Sequence, residues 1–318
     1  MRSIIVGFLL GYIIFLLAVF SQIGAPTESS RWIYEIYTIK SRIANSIKAP
    51  KLVVVAGSNA LFGISCKMLH EETGIPCVNG STHAGLGIDY ILNRAYSLIK
   101  PGDVVLLSLE YGLYLDNGTP TYQVVDYVFS RDPQYLLSLN LITQTRFITG
   151  ISEQRLIQGI TAKFTPPHPI QSGYQSRTLN EYGDETNNRQ ADMTEKQNEI
   201  LNRVKPLGLA GDSMTNYAKE RIINFIKWCR KNQIKIVATW PNTIWFDDYR
   251  EKSKQEFLQK LGEFYREQGI SILGKPTDFM YDKSMFFDTN YHLNDKGVRY
   301  RTKTLINLLR PYLEIKIQ

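Results

Sequence analysis

An α/β fold built on a central parallel sheet, a three-layer α/β/α sandwich, is the class this sequence predicts. Three observations carry that expectation. Short apolar, β-branched runs recur: "KLVVVAG" at 51–57, "VVLLSLE" at 104–110 and "IKIVATW" at 234–240. They are continuous rather than alternating, as in strands buried on both faces. Amphipathic helical stretches lie between them, which is the rhythm of βαβ crossovers. The composition, 43% hydrophobic and 21% charged over 318 residues, is that of a globular chain.

The elements follow in order. "IIVGFLLGYIIFLLAVF", residues 4–20, is 17 uncharged residues preceded by Arg2, at the short end of what crosses a bilayer. A cleaved signal peptide wants small residues at its cut, and "SQIGAP" puts Pro26 after Ala25. An uncleaved anchor therefore fits better. With the positive end inside, the chain beyond about Thr27 is expected to be exported. Residues 1–26 read as the anchor, 27–50 as a helical stalk and 51–318 as the α/β domain. Within the domain, "ISCKMLHEETG" is helical, "IPCVNGS" is a second strand, and "IDYILNRAYSLIKPGD" is a helix stopped by Pro101-Gly102. Residues 116–207, with "TPPHP" and a long polar stretch, break the rhythm and read as an insertion over the sheet's carboxyl edge. Alternation resumes with a helix at 216–232, the strand at 234–240, a helix at 247–269 and the short strand "SILG". "FFDTNYHLNDKG" then feeds a last helix, which Asn294 is placed to cap.

The formal net charge is +7, with Lys and Arg scattered rather than clustered, so nucleic acid is not an expected partner. An acidic lipid or glycan surface suits the charge. Of three cysteines, Cys66 and Cys77 flank a helix-to-strand turn; a disulfide and two buried thiols both remain open. Cys229 reads as helix core. The pattern offers no metal site and calls for no cofactor.

Chemistry is expected at the carboxyl ends of the parallel strands. Gly57, Ser58 and Asn59 follow the first strand directly. A serine becomes a nucleophile only when a base takes its proton. Of the four histidines, His70 sits inside a helix; of His83, His168 and His292, only His292 has a carboxylate at short range, Asp288. Such a carboxylate fixes the tautomer and stabilises the imidazolium.

"AGSN" after strand one, the glycine-bearing "NGSTHAGLG" after strand two, and an Asp…His pair before the last helix together resemble the SGNH/GDSL hydrolase superfamily. "YHLNDKG" is similar to its extracytoplasmic branch. That branch includes proteins of alginate and other exopolysaccharide acetylation and the D-alanyl transfer protein of teichoic acids. The resemblance covers about 51–115 and 213–312, leaving the insertion unmatched. It implies a flavodoxin-like sandwich and a serine-dependent acyl esterase or O-acyltransferase. The implied partners are a cell-surface polysaccharide or acylated glycan and a membrane-bound acyl-donor protein. The implied place is the bacterial cytoplasmic membrane, single-pass, with the domain on the periplasmic side.

By position, Ser58 matches the nucleophile, His292 the base and Asp288 its orienting acid. Gly85 matches the loop glycine whose N–H joins that of Ser58 in the oxyanion hole. Three departures stand out. Asn59 replaces the usual acid after the serine, the Asp–His spacing is four rather than three, and Glu110-Tyr111 stand where the family has its oxyanion asparagine. Asn79 and Asn242 are candidates to replace that donor. Asn59, Asn79, His83, Glu110, Tyr111 and Asn242 are candidate substrate-binding residues. A lost oxyanion donor costs ~10²–10³ in turnover, so a catalytically degenerate glycan-binding or assembly protein is the alternative. The plainer expectations are that Ser58 caps its own helix, that Asp288 and His292 share only a structural hydrogen bond, and that Glu110 pairs with Arg146 or Arg177.

Overall fold

The computed structural model describes residues 2–48, 50–165, 174–209 and 214–313. His168 and most of "TPPHP" lie outside the described residues. The chain divides into two compact units, Met1–Glu35 with Thr119–Ser176, and Ile36–Gly118 with Arg177–Gln318.

The apolar opening forms α1 (Arg2–Phe20), and the stalk forms α2 (Glu28–Ser46). α1 is long and apolar enough to cross a membrane. The second unit, which starts within α2, continues with β1 (Leu52–Val55), α3 (Ser58–Leu61), α4 (Cys66–Thr73) and β2 (Cys77–Asn79). It continues through α5 (Gly87–Ala95), β3 (Val104–Leu107) and α6 (Tyr111–Tyr114). Ser65 opens α4 by accepting the Met68 N–H at 3.2 Å. Cys66 and Cys77 are joined in a disulfide, with Cα atoms 5.1 Å apart, which resolves the alternatives the sequence left open.

The first unit takes up the chain with α7 (Tyr122–Arg131), α8 (Pro133–Ser138), α9 (Leu141–Thr149) and α10 (Glu153–Thr161). Each starts on a side chain that accepts an orphan N–H of its first turn: Thr121, Asp132, Asn140 and Ser152. Arg155 of α10 is fully buried. It pairs with Asp126 of α7 at 2.9 Å, and Asp126 also accepts the Thr27 hydroxyl at 2.8 Å.

The second unit resumes with α11 (Glu195–Arg203), α12 (Asn216–Lys231), β4 (Lys235–Thr239), β5 (Thr243–Ile244) and α13 (Lys252–Glu267). It ends with β6 (Ser271–Leu273), β7 (Met280–Tyr281) and α14 (Asp295–Leu313). Five strands form one parallel sheet in the order β2-β1-β3-β4-β6. Val53 sits between Val78 and Val105, with β1, β2 and β3 buried along their whole length. That is why their runs are apolar without alternation. β5 and β7 pair separately; two residues each is too short to leave a periodic signal. Asn294 caps α14 as expected, its Oδ1 accepting the Lys296 and Gly297 N–H groups at 3.1 Å. Cys229 is buried on α12, where burial pushes its thiol up to about 12.

The stretch read as one insertion, 116–207, is divided between the units. Its second part packs within the sheet-bearing unit. Asp184 accepts the Cys66 and Lys67 N–H groups at 2.8 and 3.0 Å, capping α4. Asn188 donates to the Leu293 carbonyl at 2.8 Å, holding the loop before α14.

Candidate active site

The strand order reverses at β1, which runs to β2 on one side and to β3 on the other. At such a switch point the connections leave in opposite directions and open a crevice at the carboxyl ends. Ser58 follows β1 there and Glu110 follows β3.

Gly57 permits the local geometry. A Cβ there would lie 2.5 Å from Glu110 Oε1 and 2.6 Å from the Ala84 nitrogen. The two neighbouring loops therefore close onto bare backbone. The Glu110 carboxyl accepts the Gly57 N–H at 3.0 Å and the Asn59 N–H at 2.8 Å. This replaces the expected pairing of Glu110 with Arg146 or Arg177. The middle donor of the three, Ser58, is half-buried. Neither its N–H nor its hydroxyl makes a hydrogen bond among the described residues. Ser58 does not cap its helix.

Asp288 and His292 meet, Oδ1 lying 2.7 Å from Nδ1. A local turn closes their four-residue spacing. The Thr289 hydroxyl oxygen accepts the Tyr291 and His292 N–H groups at 3.1 Å, and the Phe287 N–H reaches the His292 carbonyl at 2.8 Å. The imidazole stacks on Phe62, with ring centroids 4.3 Å apart and planes 15° from parallel. Phe62 closes the turn that Ser58 opens: its N–H donates to the Ser58 carbonyl at 3.0 Å, and its own carbonyl accepts from Leu293 at 3.2 Å. The histidine loop is thus docked on the serine turn, while no Ser58–His292 hydrogen bond is formed in this structure.

Gly85 differs from expectation. Its N–H donates to His83 Nδ1 at 2.9 Å instead of standing ready for an oxyanion. A ring nitrogen that accepts carries no proton, so neutral His83 holds its hydrogen on Nε2. Burial, reinforced by the charge of His292, lowers His83 to about 4, so it is uncharged at neutral pH.

The asparagines expected to touch substrate lie beneath the site, each fully buried. Asn59 donates to the Ser108 carbonyl at 2.7 Å. Asn79 donates to the Ala60 and Ile64 carbonyls at 2.9 and 3.1 Å, and its oxygen accepts from Ser81 at 3.2 Å. Asn242 donates to the Tyr291 carbonyl at 2.7 Å, beside His292. Both amide hydrogens of Asn79 are thereby spent on backbone carbonyls, leaving none for an oxyanion. Tyr111 is buried against Phe257, its hydroxyl without a partner among the described residues, and burial raises its phenol far above the usual value.

Arg301, unforeseen from the sequence, organises this layer. Fully buried on α14, it donates to the Asn59 carbonyl at 3.0 Å, Ser108 Oγ at 2.6 Å, the Trp240 carbonyl at 3.2 Å, and Asn242 Oδ1. Burial lowers its guanidinium to about 10. Its signal was a charge in register with Leu305 and Leu309 on the buried stripe of the last helix. No cluster of three or more potential metal ligands occurs among the described residues.

No family model and no curated protein matches this chain. Among solved structures it is similar to protein YxiM from Bacillus subtilis, at 9% identity and a TM-score of 0.36. That likeness covers 84% of this chain, which spans 57% of the other, and at this level it carries no argument.

Proposed function

We propose that this chain is an extracytoplasmic serine-dependent acyl esterase or O-acyltransferase of SGNH type. In this reading a three-layer α/β/α domain acts on a cell-surface polysaccharide at the bacterial cytoplasmic membrane. One observation supports it above the others: a 2.7 Å Asp288–His292 pair rests, through Phe62, on the turn that bears Ser58, whose hydroxyl is unengaged among the described residues. The chemistry follows from those groups. His292 takes the Ser58 proton as Oγ attacks the acyl carbonyl, and Asp288 stabilises the imidazolium. The Ser58 N–H faces the developing oxyanion. Collapse expels the first sugar oxygen, which takes the proton from His292. Water or a second sugar hydroxyl then releases the acyl group from Ser58 by the same steps. In this reading the Ser58–His292 bond forms on substrate binding, catalytic hydrogen bonds often being long in unliganded sites.

A second reading is favoured by the oxyanion side. The Gly85 N–H is engaged by His83, and the Glu110 carboxyl flanks the Ser58 N–H, where negative charge opposes an oxyanion. A silent glycan-binding protein has that character. Turnover of p-nitrophenyl acetate and of an acylated glycan by the full chain separates the two. Under the enzymatic reading, Ser58→Ala and His292→Ala each remove nearly all turnover and the double variant little more, because the pair acts as a unit. Asp288→Asn loses less. Glycan binding without turnover, unchanged in Ser58→Ala, selects the silent protein.

A further inference from the structure

The first unit exposes large apolar side chains on helices that its own interior cannot take up. Ile157 is 66% exposed, Ile160 46% and Phe164 82%. Their spacing of three and four residues lines them along one side of α10 and its C-terminal extension. The opposite side is already committed, since Arg155 and Gly159 are buried. A Cβ on Gly159 would fall 1.8 Å from Gln22 Oε1, so α10 sits flush against the segment that follows α1. At the α8–α9 corner Leu137, Leu141 and Ile142 are 66%, 80% and 71% exposed. An apolar surface of this extent on a soluble face marks an interaction site.

What covers it is given by where the unit is held. The segment after α1 is clamped inside the same unit. The Gly24 N–H donates to the Phe129 carbonyl at 2.8 Å. Arg155 donates to Gln22 Oε1 at 2.9 Å, to the Gln22 carbonyl at 3.2 Å and to the Ala25 carbonyl at 2.9 Å. Gly24 lies four positions after Phe20, the last of the apolar run, and helix-like turns continue to Ile23, so the rise is about 6 Å at ~1.5 Å per residue. The headgroup layer on one side of a bilayer is about 5–7 Å deep. The clamp therefore lies at headgroup depth whenever α1 crosses the membrane. Exposed Arg146 on α9 and Lys163 just past α10 supply positive charge in the same unit.

We infer that α10 lies on the membrane from which α1 emerges, with Ile157, Ile160 and Phe164 seated where headgroups meet acyl chains. The occupant of the apolar face is lipid, as for amphipathic interfacial helices generally. The inference rests on the reading of α1 as an anchor. It makes α1 and α10 two contacts with one leaflet, fixing the orientation of this unit rather than merely tethering it.

The test uses the full chain in bilayer discs of phosphatidylethanolamine and phosphatidylglycerol. Leu10→Cys, Gln154→Cys, Ile157→Cys and Phe164→Cys each carry an environment-sensitive fluorophore, the native cysteines being buried or disulfide-bonded. All but Gln154 replace an exposed apolar side chain, and circular dichroism checks the fold. Lipids with brominated acyl chains should quench the labels at 157 and 164 several-fold more than the label at 154, and iodide should reach them less. Labels at 157 and 164 that behave like 154, with Leu10 quenched, overturn the inference and leave the anchor standing. Shielding from iodide without lipid quenching means that another protein surface covers the face, which also overturns it. An unquenched Leu10 removes the anchor and the inference together.

Discussion

Arg301 shows how much of the site is support. Its guanidinium bridges the ends of β1, β3 and β4 through Asn59, Ser108, Trp240 and Asn242. Arg301→Met leaves those buried acceptors without a donor, and removing one partner of such a network costs about 3–5 kcal/mol. Arg301→Lys should recover only part, because a single ammonium cannot reproduce a planar fork. Urea unfolding of the full chain in detergent measures both. A loss under about 1 kcal/mol in Arg301→Met would show that the layer does not depend on it. The Asp288–His292 pair was legible from the sequence because both residues lie in one short loop, four positions apart. Arg301 was not, since a lone arginine on a helix reads as surface until its partners, as far as 242 positions away, are in place.

At the scale of elements, Lys40 ties the stalk helix to the loop that carries His83 and Gly85. It is fully buried on α2 and donates to the Ser81 carbonyl. Burial lowers its ammonium from 10.5 to about 7, against the opposing pull of Asp184 and Glu185. With the folded value below the unfolded one, the unfolded chain binds more protons between about pH 7 and 10.5, so Lys40 makes stability rise with pH across that window. Below pH 7 the full cost of the buried charge is present. Relative to Lys40→Met, the native chain should therefore gain stability from about pH 6 to pH 9. Urea midpoints compared across that range test it; a constant gap would mean that the ammonium does not titrate there. The helix periodicity of α2 was plain in the sequence, but the burial of its one lysine was not.

For the whole molecule, the first unit joins Met1–Glu35 to Thr119–Ser176 and the second holds the sheet. Sequence rhythm marked a change at about 116 but could not tell that Thr119–Ser176 groups with Met1–Glu35. Such packing leaves no local pattern. In the proposed topology, protease added to intact spheroplasts should remove the chain beyond about Thr27 and leave α1 behind. Protection of the entire chain would place it on the other side of the membrane.

The sequence by itself determined the parallel sheet, the apolar first helix, the Asn294 cap and the Asp288–His292 pair, all encoded within a few neighbouring residues. Tertiary structure alone decided which polar groups remain for chemistry. Asn59, Asn79 and Asn242 look like ligands for a substrate until the backbone carbonyls and Arg301 claim them. The N–H of Gly85 looks like an oxyanion donor until His83 accepts it. The reason is physical: periodicity and turn chemistry are local, whereas each buried polar group must find a partner somewhere in the fold. Which partner it finds depends on residues brought together across the chain.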